Sequence, residues 1–309
     1  KRRSATELEE DACQFNETII HCNLMGFGRN GPYSGKPAYD SIIQGGAGIA
    51  ACNQRLTGEP QFVPMVMADH LVGLIAVQMI LLALRARDLT GQSQSVEVPM
   101  FENVAGFVLQ EHMGQKAFVP ARGDTGDKRI FDANARPIKT KDGYICVSAN
   151  TDQQVRAFFE AIGREELIED PRFSTVEARL ANVVDFFSIR NGSLGGKTTA
   201  QWMESFDQTD VPAFPYNTLE QLLDDPHLQE VEMFSTMNYE GEGTVQHLEP
   251  ANTFTGGQRR YPMRAPRLGE HSREILQESG LSDEAITRLV EGGVVMDRQG
   301  RKLNPNEEI

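Results

Sequence analysis

The sequence predicts an α/β fold, and three stretches carry that expectation. Thr18 to Met25 is β-branched and apolar, Leu71 to Leu84 is a long apolar run, and Ser95 to Val98 alternates before a second helical pattern that opens at Pro99. Strand, helix, strand and helix in succession are the pattern of a parallel sheet with helical crossovers.

The elements follow in order. Thr6 to Ala12 fits a short polar helix, and the strand ending at Met25 leads into Gly26-Phe27-Gly28-Arg29-Asn30-Gly31. Those glycines match the dinucleotide fingerprint in spacing, but a fingerprint must open a helix, and Pro32 to Pro37 cannot continue one. Ala38 to Ala51 predicts one helix with small residues on a face, and Gly58 to Pro60 a turn. Asp69 then sits at the mouth of the apolar helix, which closes with Arg85, Arg87 and Thr90-Gly91. That run is too short and carries Gln78, so it reads as a buried core helix rather than a membrane span of about 20 apolar residues.

Beyond the helix carrying Phe101, Val104 and His112, the loop Arg122 to Arg129 marks a boundary between lobes. Lys141-Asp142-Gly143 turns into a strand from Tyr144 to Ser148, Thr151 caps a helix from Gln153 to Ile162, and further helices are expected at Thr199–Phe206 and Leu219–Leu223. After Pro226 the chain reads as β from Val231 to Val245, and it closes with helices at Ser272–Ser279 and Ser282–Leu289.

Composition bounds the function. The 309 residues, 39% hydrophobic, can build one large or two moderate domains. A formal charge of -14 argues against a nucleic-acid partner and against an anionic membrane surface, so an anionic ligand needs local positive charge. The four cysteines and six histidines show no ligand spacing, which suggests reduced thiols, a cytoplasmic location and no metal site. His112 beside Glu111 and His271 beside Glu270 read as solvated helix residues.

Asp69 has two compatible readings. It is a good helix cap, and a carboxylate aimed into a cleft from a helix start is also a capable covalent nucleophile toward an activated acyl group. Ordered landmarks favour the second. Gly26 to Tyr33, Ala38-Tyr39-Asp40, Ala68-Asp69 before the apolar helix, Thr90-Gly91-Gln92, Lys141 to Ile145, Val211 to Pro215, Asp225 to Leu228 and Ala265 to His271 together resemble the family III CoA-transferases. That family includes formyl-CoA and carnitine CoA-transferases and the α-methylacyl-CoA racemases.

The resemblance implies a parallel-sheet large domain over 1–118, a smaller α+β domain over 119–222, and a C-terminal segment, 223–309, that returns to the large domain of an intertwined homodimer. It implies coenzyme A, as acyl-CoA, and a carboxylic acid as substrates. Asp69 falls on the family's catalytic aspartate, which passes through an aspartyl anhydride and an aspartyl-CoA thioester, with amides of the following helix steadying the oxyanion. Where racemases carry Gly-His-Asp this chain has Ala38-Tyr39-Asp40, and a phenol with an ordinary pKa of about 10 is a poor acid/base partner near neutrality, so transfer is favoured over racemisation. Tyr39 is then a hydrogen-bond donor near the acyl group or a core aromatic. Gly123 and Gly126 lie where transferases carry a loop over the intermediate, with an ordinary interlobe loop as the other reading. Lys36 and Arg29 are candidates for CoA phosphates or solvated charges. The family's first segment, upstream of Gly26 and rich in CoA contacts, has no counterpart, which leaves a catalytically incompetent fragment as a further alternative.

Overall fold

The computed structural model describes residues 11–12, 14–239, 243–256 and 265–297, and the chain divides into two compact units after Tyr216. The first unit holds two separate cores. In one, β1 (Ile20–Met25) pairs in parallel with β2 (Gln94–Pro99), from Ile20 opposite Gln94 to Met25 opposite Pro99. Parallel strands need a long crossover, and α1 (Asp40–Gly46), α2 (Ile49–Thr57) and α3 (Met67–Thr90) provide it. The single helix expected over Ala38–Ala51 is divided by Gly48, whose φ of 97° lies in the left-handed region.

Helix α3 ends as its sequence dictates: Gly91 adopts φ 70° and donates to the Arg87 carbonyl at 2.7 Å. Its burial corrects the expectation of a core helix. One stripe, Ala68, Val72, Ala76 and Ala83, packs with Ile43, Val98 and Val104, while only 22% of its most apolar stretch is buried. Leu74, Val77, Leu81 and Leu82 are more than half exposed. By length and composition alone α3 suffices to cross a membrane, and the small-residue stripe is what seats it on the sheet.

Helix α4 (Met100–His112) follows β2 directly, and a 3-10 turn spans Gly114–Ala117. The second core is built on the antiparallel order β3 (Ile138–Lys139), β4 (Tyr144–Val147), β5 (Ala213–Pro215). Against it pack α5 (Asp152–Ala161), α6 (Val176–Ala181), α7 (Val183–Gly192) and α8 (Thr199–Asp207) through Phe158, Phe159, Phe173, Phe186, Trp202 and Phe206. Thr151 with Gln154 and Thr198 with Gln201 form capping boxes at α5 and α8. Trp202 donates its indole N–H to the Leu194 carbonyl at 2.7 Å, so the ring is buried without an unpaired donor.

The second unit carries α9 (Leu219–Leu223), α10 (Pro226–Glu230), the hairpin β6 (Phe234–Tyr239) and β7 (Gly243–Leu248), α11 (Ser272–Glu278) and α12 (Asp283–Glu291). The β structure expected over Val231–Val245 is this hairpin, and before it Pro226 opens α10, where Asp225 accepts from the His227 and Leu228 amides at 3.0 and 3.1 Å. The helix expected over Thr6–Ala12 lies outside the described residues except for Asp11 and Ala12, which are helical. Cys22, Cys52 and Cys146 are free, and burial pushes the Cys22 and Cys52 thiols up, away from reactive thiolates.

Candidate functional site

The link Gly91 to Ser93 turns the chain from α3 into β2, so the first turn of α3 lies toward the carboxyl ends of the two strands, where α/β sheets bind ligands. Side-chain contacts agree. Gly26, just past β1, is packed against Ala38 with no room for a Cβ, and two residues on Asp40 reaches the start of α3.

Asp69 is the third residue of α3, after Val66 as the capping position, and its side chain makes no cap. Asp40 does that work from another helix. Its Oδ1 accepts from the Ala68 amide at 2.7 Å and the Asp69 amide at 3.3 Å, and its Oδ2 accepts from Gln44 Nε2 at 2.6 Å. Gln44, 1% exposed, uses its remaining groups on the preceding loop: Oε1 accepts from the Val63 amide at 2.9 Å and Nε2 donates to the Met65 carbonyl at 3.0 Å. A carboxylate at a helix start complements the dipole, and a buried carboxamide with both ends engaged fixes the loop that enters the helix. The Asp69 carboxylate is therefore exposed and, among the described residues, accepts no hydrogen bond.

The same geometry corrects the expected oxyanion donors. The Met67 amide donates to the Met65 carbonyl at 2.8 Å, Ala68 and Asp69 donate to Asp40, and His70 donates to Val66 at 3.3 Å. The first-turn amides of α3 are all engaged.

Tyr39 occupies the capping position of α1, beside Asp40, and is 77% exposed, which rules out the core-aromatic reading. The Gly26–Gly31 turn holds protein carboxylates: the Gly28 amide donates to Glu102 Oε1 and the Arg29 amide to Glu97 Oε1, each at 2.9 Å. Arg29 Nε lies 3.2 Å from Glu97 Oε2, and Lys36 Nζ sits 4.7 Å from the Tyr33 ring centre. An exposed ion pair contributes about 0–1 kcal/mol and an exposed cation–π contact about 0.5–1 kcal/mol, so an anion could compete for either cation.

Gly123 and Gly126 lie elsewhere. Their loop is tied to the last turn of α4, with the Gly126 amide donating to His112 at 2.8 Å and the Gln115 amide to Asp124 at 3.0 Å. Arg55 of α2 grips it, donating to the Thr125 carbonyl at 2.7 Å and to Thr125 Oγ1 at 2.6 Å. Along α4 this end is about 18 Å from the first turn, at 1.5 Å per residue, where Glu102 meets Gly28. Asp69, Tyr39, Arg29 and Lys36 thus share one end of the sheet, and Gly123 and Gly126 belong to the far end of α4. His112, expected in solvent, instead stacks on Phe131 with ring centres 4.5 Å apart. Among the described residues no group of three or more His, Cys, Asp or Glu converges as a metal site.

Sequence reasoning quoted Asp40 but gave it no role, and it passed over Gln44. Their spacing, four residues apart on one helix, was the available signal.

Comparison with known proteins places this arrangement. The sequence profile of CoA-transferase family III matches residues 4–272. An acyl-CoA transferase of Fusarium pseudograminearum is 28% identical over 284 residues, 91% of this chain and 62% of that protein. The succinyl-CoA:glutarate CoA-transferase of Mus musculus is 27% identical over 93% of this chain and 66% of that protein. The chain thus spans 62% to 66% of the length of these two relatives. Among solved structures, a CAIB/BAIF family protein from Brucella suis is 27% identical with a TM-score of 0.66, covering 87% of this chain and 70% of that one. The Mycobacterium tuberculosis protein Rv3272 shares the fold with a TM-score of 0.72 at 23% identity, over 88% of this chain and 74% of that one. The match across most of its length establishes that the chain belongs to CoA-transferase family III.

Proposed function

We propose that this protein transfers coenzyme A from an acyl-CoA donor to a carboxylic acid acceptor, with Asp69 as the nucleophile. The observation that carries the reading is the division of labour at the start of α3: Asp40 occupies the Ala68 and Asp69 amides, and the exposed Asp69 carboxylate accepts no hydrogen bond from the described residues. The names of the relatives supply the substrate classes, acyl-CoA and carboxylate.

An oxygen of Asp69 attacks the thioester carbonyl, the C–S bond breaks, and CoA leaves as thiolate from a mixed anhydride. The thiolate attacks the aspartyl carbonyl of that anhydride, expelling the donor acid and leaving an aspartyl-CoA thioester. The acceptor carboxylate attacks this thioester, and the released thiolate then takes the new acyl group and restores Asp69. Each step exchanges one leaving group for another, so covalent catalysis divides a hard exchange into easier ones. With the first-turn amides engaged, oxyanion stabilisation falls to other donors, and the Tyr39 hydroxyl is exposed at the same end of the sheet. Arg29 and Lys36 are the cations this reading assigns to the CoA phosphates, and Gly123 and Gly126 would reach the intermediate only through movement of their loop.

The protein works, in this reading, as a homodimer, which would cover the exposed stripe of Leu74, Val77, Leu81 and Leu82. Light scattering decides that point, with a stable monomer counting against it. The function is tested by incubating the protein with acyl-CoA and a panel of acids and following CoA exchange, alongside calorimetric titration with CoA. Exchange lost in Asp69→Asn supports the reading; α-deuterium loss from a branched acyl-CoA without acceptor would indicate racemisation instead, and absence of any CoA affinity would contradict both.

A further inference from the structure

We propose that a cavity beside β3 is a binding site for a small dianion bearing carboxylate or phosphate groups. It is an open hollow of about 190 Å³ lined by Arg136, Pro137, Lys139, Tyr144 and Asn191. The site does not depend on the chemistry assigned to Asp69.

The fold builds this cavity from three directions. Ile138 pairs with Ile145 and Lys139 with Tyr144 across the β3–β4 ladder; the isoleucines are buried in the core, so the lysine and the tyrosine emerge together on the other face. Asn191, near the end of α7, donates from Nδ2 to Asn134 Oδ1 at 3.0 Å, which ties the helix to the loop before β3. That loop is held from beneath by Arg190, 9% exposed, whose Nη2 donates to the Asn134 carbonyl at 3.3 Å and whose guanidinium lies 4.1 Å from the Phe187 ring centre. The Arg136 amide donates to the same Asn134 carbonyl at 2.9 Å, so the backbone presenting Arg136 is fixed.

The lining chemistry is one-sided. Guanidinium, ammonium, phenol and carboxamide all offer N–H or O–H donors, and no acidic side chain lines the cavity. Asp132, the buried acid of the loop, accepts at Oδ1 from the Asn134 amide at 2.7 Å and faces Arg190. Among the described residues neither Arg136 nor Lys139 forms an ion pair. In a chain of net charge -14, two unopposed cations on one concave surface make a local positive potential that an anion would satisfy. Arg136 suits bidentate recognition of a planar carboxylate or of two phosphate oxygens, and Lys139 supplies a point charge for a second anionic group. The volume holds roughly six waters at about 30 Å³ each and falls short of the roughly 300–1,000 Å³ of sites for larger ligands. A short dicarboxylate or an inorganic phosphate fits that size.

The test is an amide ¹H–¹⁵N titration of the whole chain at low ionic strength with succinate, inorganic phosphate, acetate and neutral succinamide. The expected result is saturable shifts confined to residues 134–145 and 190–192 with succinate or phosphate, with acetate weaker by about tenfold and succinamide silent. The tighter of the two dianions identifies the carboxylate or the phosphate source. The double variant Arg136→Gln, Lys139→Gln should lose at least about tenfold in affinity, while Lys128→Gln binds as the wild type. Shifts that fail to saturate at millimolar dianion, or that map away from β3, overturn the proposal whether or not the double variant folds. Equal affinity in a folded double variant overturns it as well.

Discussion

Asp40→Ala separates the two acids at the start of α3. The substitution removes the acceptor of the Ala68 and Asp69 amides and deprives Gln44 of one of its two acceptors, in a region where Gln44 is 1% exposed. Loss of a capping acceptor costs about 1 kcal/mol, loss of the favourable charge at the helix start about 0.3–1 kcal/mol, and a buried donor left partly unsatisfied about 1–3 kcal/mol. The expected destabilisation is about 3 kcal/mol, or a fall in Tm of roughly 6–12 °C for a unit of this size. Asp69→Ala, by contrast, removes an exposed side chain that makes no hydrogen bond among the described residues and should cost at most about 1 kcal/mol through the dipole alone. Chemical denaturation of both variants, with hydrogen exchange of the amides from Met67 to His70, reads the difference. Equal costs, or a larger cost for Asp69→Ala, would refute the assignment of the cap to Asp40.

Three further outcomes follow from the packing. Arg179→Ala should destabilise the second core by about 2–4 kcal/mol, because the buried guanidinium donates to the Phe173 carbonyl at 2.8 Å and pairs with the exposed Asp152 at 2.6 Å, and its loss empties a buried site and leaves the Phe173 carbonyl unpaired; urea denaturation measures it. Gly126→Ala places a Cβ against Arg55 and, at 2.7 Å, the Phe131 ring from a φ of 102°, so a cost of about 2–4 kcal/mol is expected, with loosening of the 123–126 loop visible by exchange. Hydrogen bonds from Arg129 hold the Asp127 carboxyl below its ordinary value of 3.8, and those from the Thr199 amide and hydroxyl do the same for Asp142. Both acids bind protons more readily unfolded, so their contribution is complete above about pH 5 and disappears as pH falls through their lowered folded values. Removing Asp142 should flatten the acid limb of a stability–pH curve; an unchanged limb would count against its coupling to Thr199.

The sequence revealed structure wherever cause and effect lay within a few residues. Thr151 announced α5 because a cap lies next to the helix it starts, and Thr218 with Gln221 announced α9 because both members of a capping box are three residues apart. Gly91 ended α3 for an equally local reason. The bonds that define the site are not local: Asp40 meets Ala68 across 28 positions, and Arg29 meets Glu97 across 68. No periodicity reports such pairings, so Asp69 looked like its own cap. The exposure of Leu74 and Leu81 was hidden for a different reason, since a helix apolar on every side reads as core. Helix α7 was missed because its apolar and aromatic residues surround the axis without a clear stripe. Asp69 was legible as a nucleophile only through the family's ordered landmarks, and the geometry that frees its carboxylate came from Asp40 and Gln44.

The most direct test of the central claim is mass spectrometry of the protein quenched during incubation with acyl-CoA. The account predicts an acyl or CoA adduct on the peptide containing Asp69, absent from Asp69→Asn. CoA exchange that persists in Asp69→Asn, or an adduct on another residue, would contradict it.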